Sequence, residues 1–228
     1  MSDHVHDLAL LDAATDRLLA SAAKLDNAAV AEPSRLPGWS RGHVLAHLAR
    51  NADALLNVLA GRPMYGSAEA RDADIARDAP RPLGVQLDDV RTMAERFRQA
   101  TEERADWGRT VELRNGVTDS ASRVPFRRLI EVELHHVDLG IGYELEDLSE
   151  EFTGRECAFL ADRFSGNAGV AATNLTAADG RQWTTGRGGD VTVTVTGSAA
   201  DLLGWLSGRR DGAALTAVGG PLPVLPPL

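Results

Sequence analysis

The sequence predicts an α+β protein: an N-terminal antiparallel four-helix bundle over residues 1–147, then a small α+β domain over residues 148–228. Three observations carry this reading. Four long apolar stripes at helical spacing occupy the first part of the chain. Near Asp147 the character changes, and runs of strand-like composition follow. With 228 residues, 43% hydrophobic and 25% charged, the chain has the composition of a globular protein able to bury a core.

Leu8, Leu11, Ala14, Leu18, Leu19 and Ala22 set a first helix over 8–23. The turn-rich stretch 32–39 leads to Ser40, which stands where an N-cap accepts a bond from the next turn, so a second helix is expected from Arg41 to Ala60. Its buried face holds Val44, Leu48, Leu55 and Leu59, with His47 beside them. After a stop at 61–63, the segment Met64 to Arg71 starts a short helix, and Pro80 and Pro82 bracket the next break. Val85, Leu87, Val90, Met93, Ala94 and Phe97 define a third long helix over 85–104, followed by a polar span with the turn dipeptide Asn115-Gly116. A fourth runs from Phe126 to Gly142, with Ile130, Leu134, Val137 and Ile141 on its apolar face. Beyond it come a helix over 150–164, strands over 170–175, 182–185 and 190–196, a short helix over 199–206 and a last strand over 215–218. The tail from Pro221 is too proline-rich to continue either.

A formal net charge of −9 repels a polyphosphate backbone, so nucleic acid is not an expected partner. No apolar run approaches the roughly 20 residues that span a bilayer, and the N-terminus lacks the basic and apolar regions of an export signal. Cys157 is the single cysteine, which rules out an internal disulfide and suits a reducing cytoplasm. Thiol chemistry on this chain therefore calls for a thiol from elsewhere.

Glu131, His135 and Asp138 form one strip of the fourth helix at about 3.6 residues per turn. A catalytic zinc commonly takes three protein ligands and leaves one position open. His47, Glu131 and His135 meet that requirement if the second and fourth helices face each other. Asp138 either orients a ligand imidazole or pairs with an arginine. His43, four residues before His47, competes as a ligand, but its place in the first turn beside Ser40 favours a polar or substrate-facing role. His136 and Glu133 are rotated by about 100° and about 200° from His135 and Glu131, and are assigned to surface or helix contacts. His4 and His6 fall in a terminus expected to be mobile. Cys157 reads as a packed, inert thiol. Arg71, Arg209 and Arg210 are each able to clamp a carboxylate. No glycine-rich phosphate loop or nucleophile elbow occurs.

With Gly38-Trp39-Ser40, His43 to His47 and Glu131 to Gly140 on the page, the chain resembles the mycothiol-dependent maleylpyruvate isomerases of the DinB-like metal-binding bundle superfamily, nearly end to end. Met64 to Arg71 and the Gly208-Arg209 turn are similar to segments of the isomerases themselves. The resemblance implies His47, Glu131 and His135 as zinc ligands, and Arg71 and Arg209 at the substrate. His43 and Arg210 are set beside the thiol cofactor, Arg210 being the alternative equivalent of Arg209. It also implies zinc and mycothiol as cofactors, a monomer, a place in gentisate degradation, and conversion of maleylpyruvate to fumarylpyruvate by thiol addition, rotation and elimination. A mycothiol S-transferase acting on another electrophile and a non-enzymatic metal-binding bundle are the competing readings.

Overall fold

The computed structural model describes residues 4–102, 106–187 and 193–228. The chain divides into two units, Met1–Tyr143 and Glu144–Leu228.

In the first unit, α1 (His4–Ala22), α3 (Arg41–Leu59), α5 (Leu83–Glu102) and α6 (Val124–Asp138) form a ring of four packed helices: α1 on α6, α6 on α3, α3 on α5, and α5 on α1. Leu18, Leu48, Phe97 and Leu129, one from each, are buried. The last residues of the expected third helix, 103–104, lie outside the described residues. The short α2 (Asn27–Ala31), capped by Asp26, has too few residues to show a period and was not expected. α4 (Ala68–Asp78) starts behind the cap Ser67, so most of the segment from Met64 is the approach to a helix. Gly42 is where α3 touches the end of α4: a Cβ there would sit 2.1 Å from the Ala79 carbonyl oxygen. Strands β1 (Thr110–Glu112) and β2 (Thr118–Ser120) pair antiparallel around Asn115 and Gly116, both at positive φ, as the turn dipeptide requires.

α6 starts two residues earlier than expected because Pro125 fits the first helical turn, where its missing N–H costs nothing. It stops at Asp138, short of Gly142. The Asp138 carbonyl accepts from Arg35 N at 2.8 Å and the Leu139 carbonyl from Arg41 Nε at 2.9 Å, so the 32–41 connection takes the acceptors that would continue the helix. α1 extends back to His4, whose ring stacks on Trp107 at 4.3 Å; this end is packed where a mobile terminus was expected.

In the second unit, α7 (Glu150–Phe164) and α8 (Ala199–Leu206) are capped by Ser149 and Ser198. β3 (Thr173–Ala177), β4 (Gln182–Thr185), β5 (Val193–Gly197) and β6 (Thr216–Val218) form a sheet of order β4-β3-β5-β6, parallel only between β3 and β5. Leu175 is aligned with Trp183 on one side and Val195 on the other. Alternation buries Thr173, Leu175 and Ala177 of β3 with Val193 and Val195 of β5. β3 begins later than the expected Val170, whose N–H is tied back to the Asn167 carbonyl in a turn. Residues 190–192 of the expected central strand lie outside the described residues. Among the described residues, no helix is long and apolar enough to cross a membrane.

Candidate metal centre

α3 and α6 pack side by side, and their facing strips carry His47 on one and Glu131 and His135 on the other. The direction of α3 is fixed at its first turn. Ser40 Oγ accepts from His43 N at 3.3 Å, while Ser40 N donates to His43 Nδ1 at 3.2 Å, a reciprocal cap. One turn later His47 is buried, with Trp39 edge-on to its ring at 5.5 Å.

Glu131 Oε2 lies 3.0 Å from His47 Nε2 and 3.2 Å from His135 Nε2. One donor atom from each of the three residues falls within 4.8 Å of the others. The imidazoles meet edge to face at 4.7 Å. On the far side of its ring, His135 Nδ1 is 2.8 Å from Oδ2 of the fully buried Asp138. Asp138 therefore meets the imidazole, one of the two partners the sequence offered for it, on the side of the ring away from Glu131.

The protonation states suit a cation. Burial drives the His47 pKa down to about 4, so its ring is neutral at physiological pH. Burial alone would raise Glu131, but hydrogen bonds from His135 and His47 outweigh it and hold the carboxyl well below its usual range. At His135 burial works against the charged ring, and the bonds to Asp138 and Glu131 prevail, raising its pKa. A neutral imidazole, an ionised carboxylate and an imidazole oriented by a carboxylate are the donors a divalent first-row ion takes at about 2.0–2.2 Å, so the residues present fit such an ion.

Arg71 reaches this cluster from α4. Its Nη2 lies 3.4 Å from His47 Nδ1, and its guanidinium sits over the Tyr65 ring at 5.9 Å. Tyr65 also lines a cavity of about 590 Å³ walled by Arg62, Glu112, Arg114 and Asn115. His43 stays half-buried and, with Trp39 and Pro37, lines a separate hollow of about 520 Å³. Arg209 and Arg210 belong to the second unit. There Arg210 is bidentate to Glu146 at 2.6 and 2.8 Å and bonds Asp201 at 2.6 Å, while Arg209 Nη1 donates to the Ser207 carbonyl at 3.3 Å. Cys157 is 0% exposed and burial pushes its thiol up to about 12, an inert group as expected.

Glu133 and His136 need a correction. The surface half of their assignment fails, since they are 3% and 1% exposed, and the helix-contact half stands. Glu133 accepts from Arg17 of α1 at 2.6 Å and from Tyr143 at 2.9 Å, and His136 stacks on Tyr143 at 4.0 Å. Sequence reasoning also passed over Tyr65, Asn51 and Arg128. The signal was present for the last two: Asn51 is one turn after His47, and Arg128 three residues before Glu131, on the same strips.

A helical bundle whose facing helices bring together three donors able to hold a metal ion, joined to a small α+β unit, is the class that fold and site define. Residues 11–140 match the family model of the mycothiol maleylpyruvate isomerase N-terminal domain, and residues 147–227 match that family's C-terminal domain. The chain belongs to the mycothiol-dependent maleylpyruvate isomerase family, a family of enzymes. Crystal structures of a mycothiol-dependent maleylpyruvate isomerase and of its histidine-to-alanine variant superpose with TM-scores of 0.89 and 0.88. Each is 27% identical in sequence, over 99% of this chain and 97% of the other. Among proteins of curated function, none matches the chain in sequence.

Proposed function

We propose that this chain isomerises maleylpyruvate to fumarylpyruvate, with zinc held by His47, Glu131 and His135 and mycothiol as the attacking thiol. The convergence of these three donors, in a fold matched end to end by isomerase structures, is the observation that carries the reading. When bound, the zinc supplies the positive charge that keeps a coordinating thiol deprotonated at neutral pH.

The chain's own groups then divide the remaining work. Asp138 fixes the tautomer of His135 by accepting its Nδ1–H, so that Nε2 is the ligating atom. A His47 ring that ligates through Nε2 carries its proton on Nδ1, where it no longer accepts from Arg71. Nη2 of Arg71 is thereby released to pair with a substrate carboxylate, while Nη1 keeps its bond to Asp72 at 2.7 Å. The thiol, when bound, would supply a nucleophile that adds reversibly to the cis double bond, so that rotation about the resulting single bond and elimination of the same thiolate would give the trans isomer with no net change in protons or electrons. Arg71 is the substrate-facing arginine of the first unit, and the family resemblance adds Arg209 or Arg210 from the Gly208–Arg210 turn. His43 faces the body of the thiol. Reliance on a reduced small thiol fits a reducing cytoplasm, and the family resemblance favours a monomer.

Incubating zinc-loaded protein with maleylpyruvate and mycothiol tests the reading. Fumarylpyruvate should form only when metal and thiol are both present, and an unchanged substrate overturns the proposal. Accumulation of a stable thiol adduct would instead identify an S-transferase.

A further inference from the structure

Arg128 carries a charge into the interior of the first unit with a single, neutral hydrogen-bond partner. The side chain lies one turn before Glu131 on α6 and is 1% exposed. Its Nη1 donates to Asn51 Oδ1 at 2.8 Å, and its buried Nη2 has no hydrogen-bond partner. Asn51 is neutral and stands one turn after His47 on α3, so the pair forms the layer next to His47 and Glu131. Burial presses the guanidinium's pKa down to about 10, against the charges of Glu131 and Tyr65 that oppose the fall. The group is still cationic at neutral pH. Its link from α6 to α3 is one bond to a neutral amide, a role that a neutral donor would also fill. The charge itself therefore points to the neighbouring site.

We propose that Arg128 is a positioning residue for the metal centre: its fixed charge, one helical turn from Glu131, selects an anionic occupant such as a thiolate for the position that His47, Glu131 and His135 leave open. The inference rests on the metal-centre reading. A divalent ion against one carboxylate leaves one net positive charge, and Arg128 adds a second. In an interior of low effective dielectric, that charge attracts an incoming anion and repels the metal itself. Loss of the charge therefore moves the two affinities in opposite directions, which a purely structural link between the helices would not do.

The test uses the full chain loaded with Co²⁺, whose visible spectrum reports both metal uptake and binding of azide or 2-mercaptoethanol. Arg128→Met and Arg128→Gln are compared with wild type, Gln keeping a donor for Asn51 without the charge. Both should bind azide and the thiol about tenfold more weakly or worse. Both should bind Co²⁺ as tightly or more tightly than wild type. Arg128→Lys should restore most of the anion affinity. Variants that lose cobalt and anion together, or that bind the anion as wild type does, overturn this inference while leaving the metal centre standing. A wild type that takes up no cobalt overturns both.

Discussion

Replacing Asp138 by asparagine removes one charge and leaves the volume of the site unchanged. The carboxylate is 0% exposed and its Oδ2 is 2.8 Å from His135 Nδ1. Losing a carboxylate that stands behind a ligand imidazole costs about 10–100-fold in metal affinity, or about 1.4–2.8 kcal/mol. The same substitution has a second signature in metal-free protein. Burial disfavours the charged His135 ring, yet the bonds to Asp138 and Glu131 raise its pKa above the ordinary value. A pKa raised by folding contributes stability that is full below the unfolded value of about 6.5 and fades as pH rises through the folded value. Asp138→Asn should therefore cost most stability on the acid side of neutrality and less on the alkaline side. Chelator competition gives the affinity, and urea unfolding at about pH 5.5 and about pH 8.5 gives the stability difference. Wild-type metal affinity in the variant, or a larger stability loss at the alkaline pH, would refute the assignment of Asp138.

Metal affinity itself should depend on pH through the imidazoles. Its logarithm should fall by about one per pH unit below the His135 pKa, and by about two only below the His47 value of about 4; a slope of two near neutrality contradicts the buried, neutral His47. Arg71→Ala should raise KM for maleylpyruvate at least about tenfold and leave metal content unchanged, as loss of a charged carboxylate anchor requires; steady-state kinetics beside metal analysis decides this. Cys157→Ser should retain activity within about a few-fold, because a thiol held at about 12 supplies no thiolate, and abolished turnover in folded protein would move the nucleophile onto the chain. Gly42→Ala should lower stability by about 1–3 kcal/mol, since its Cβ meets the Ala79 carbonyl oxygen at 2.1 Å; an unchanged Tm means that α3 and α4 separate freely.

The metal strip was legible because two regular periods converge on it. The Ser40 cap sets where α3 begins and hence which way His47 points, and the four-residue spacing puts Glu131 and His135 on one face of α6. Helix 150–164, strand 182–185 and helix 199–206 matched residue for residue, and Ser149 and Ser198 cap the two helices. Packing between elements distant in sequence was not legible. The end of α6 depends on Arg35 and Arg41 reaching across from the 32–41 connection, which no local pattern records. Glu133 and His136 read as surface groups because charged residues usually are; their burial rests on tertiary partners that include Arg17 and Tyr143. Arg128 escaped notice for the same reason: its place on the Glu131 strip was legible, but an arginine is so seldom buried that the position was not read as an interior one.

The central claim is that His47, Glu131 and His135 hold a metal whose open position is filled by a borrowed thiol. The direct measurement is the rate of loss of maleylpyruvate absorbance in four reactions: metal-free and zinc-loaded protein, each with and without mycothiol. The account predicts isomerisation only in the reaction that contains both zinc and mycothiol. Equal rates with and without the thiol, or with and without the metal, would contradict it.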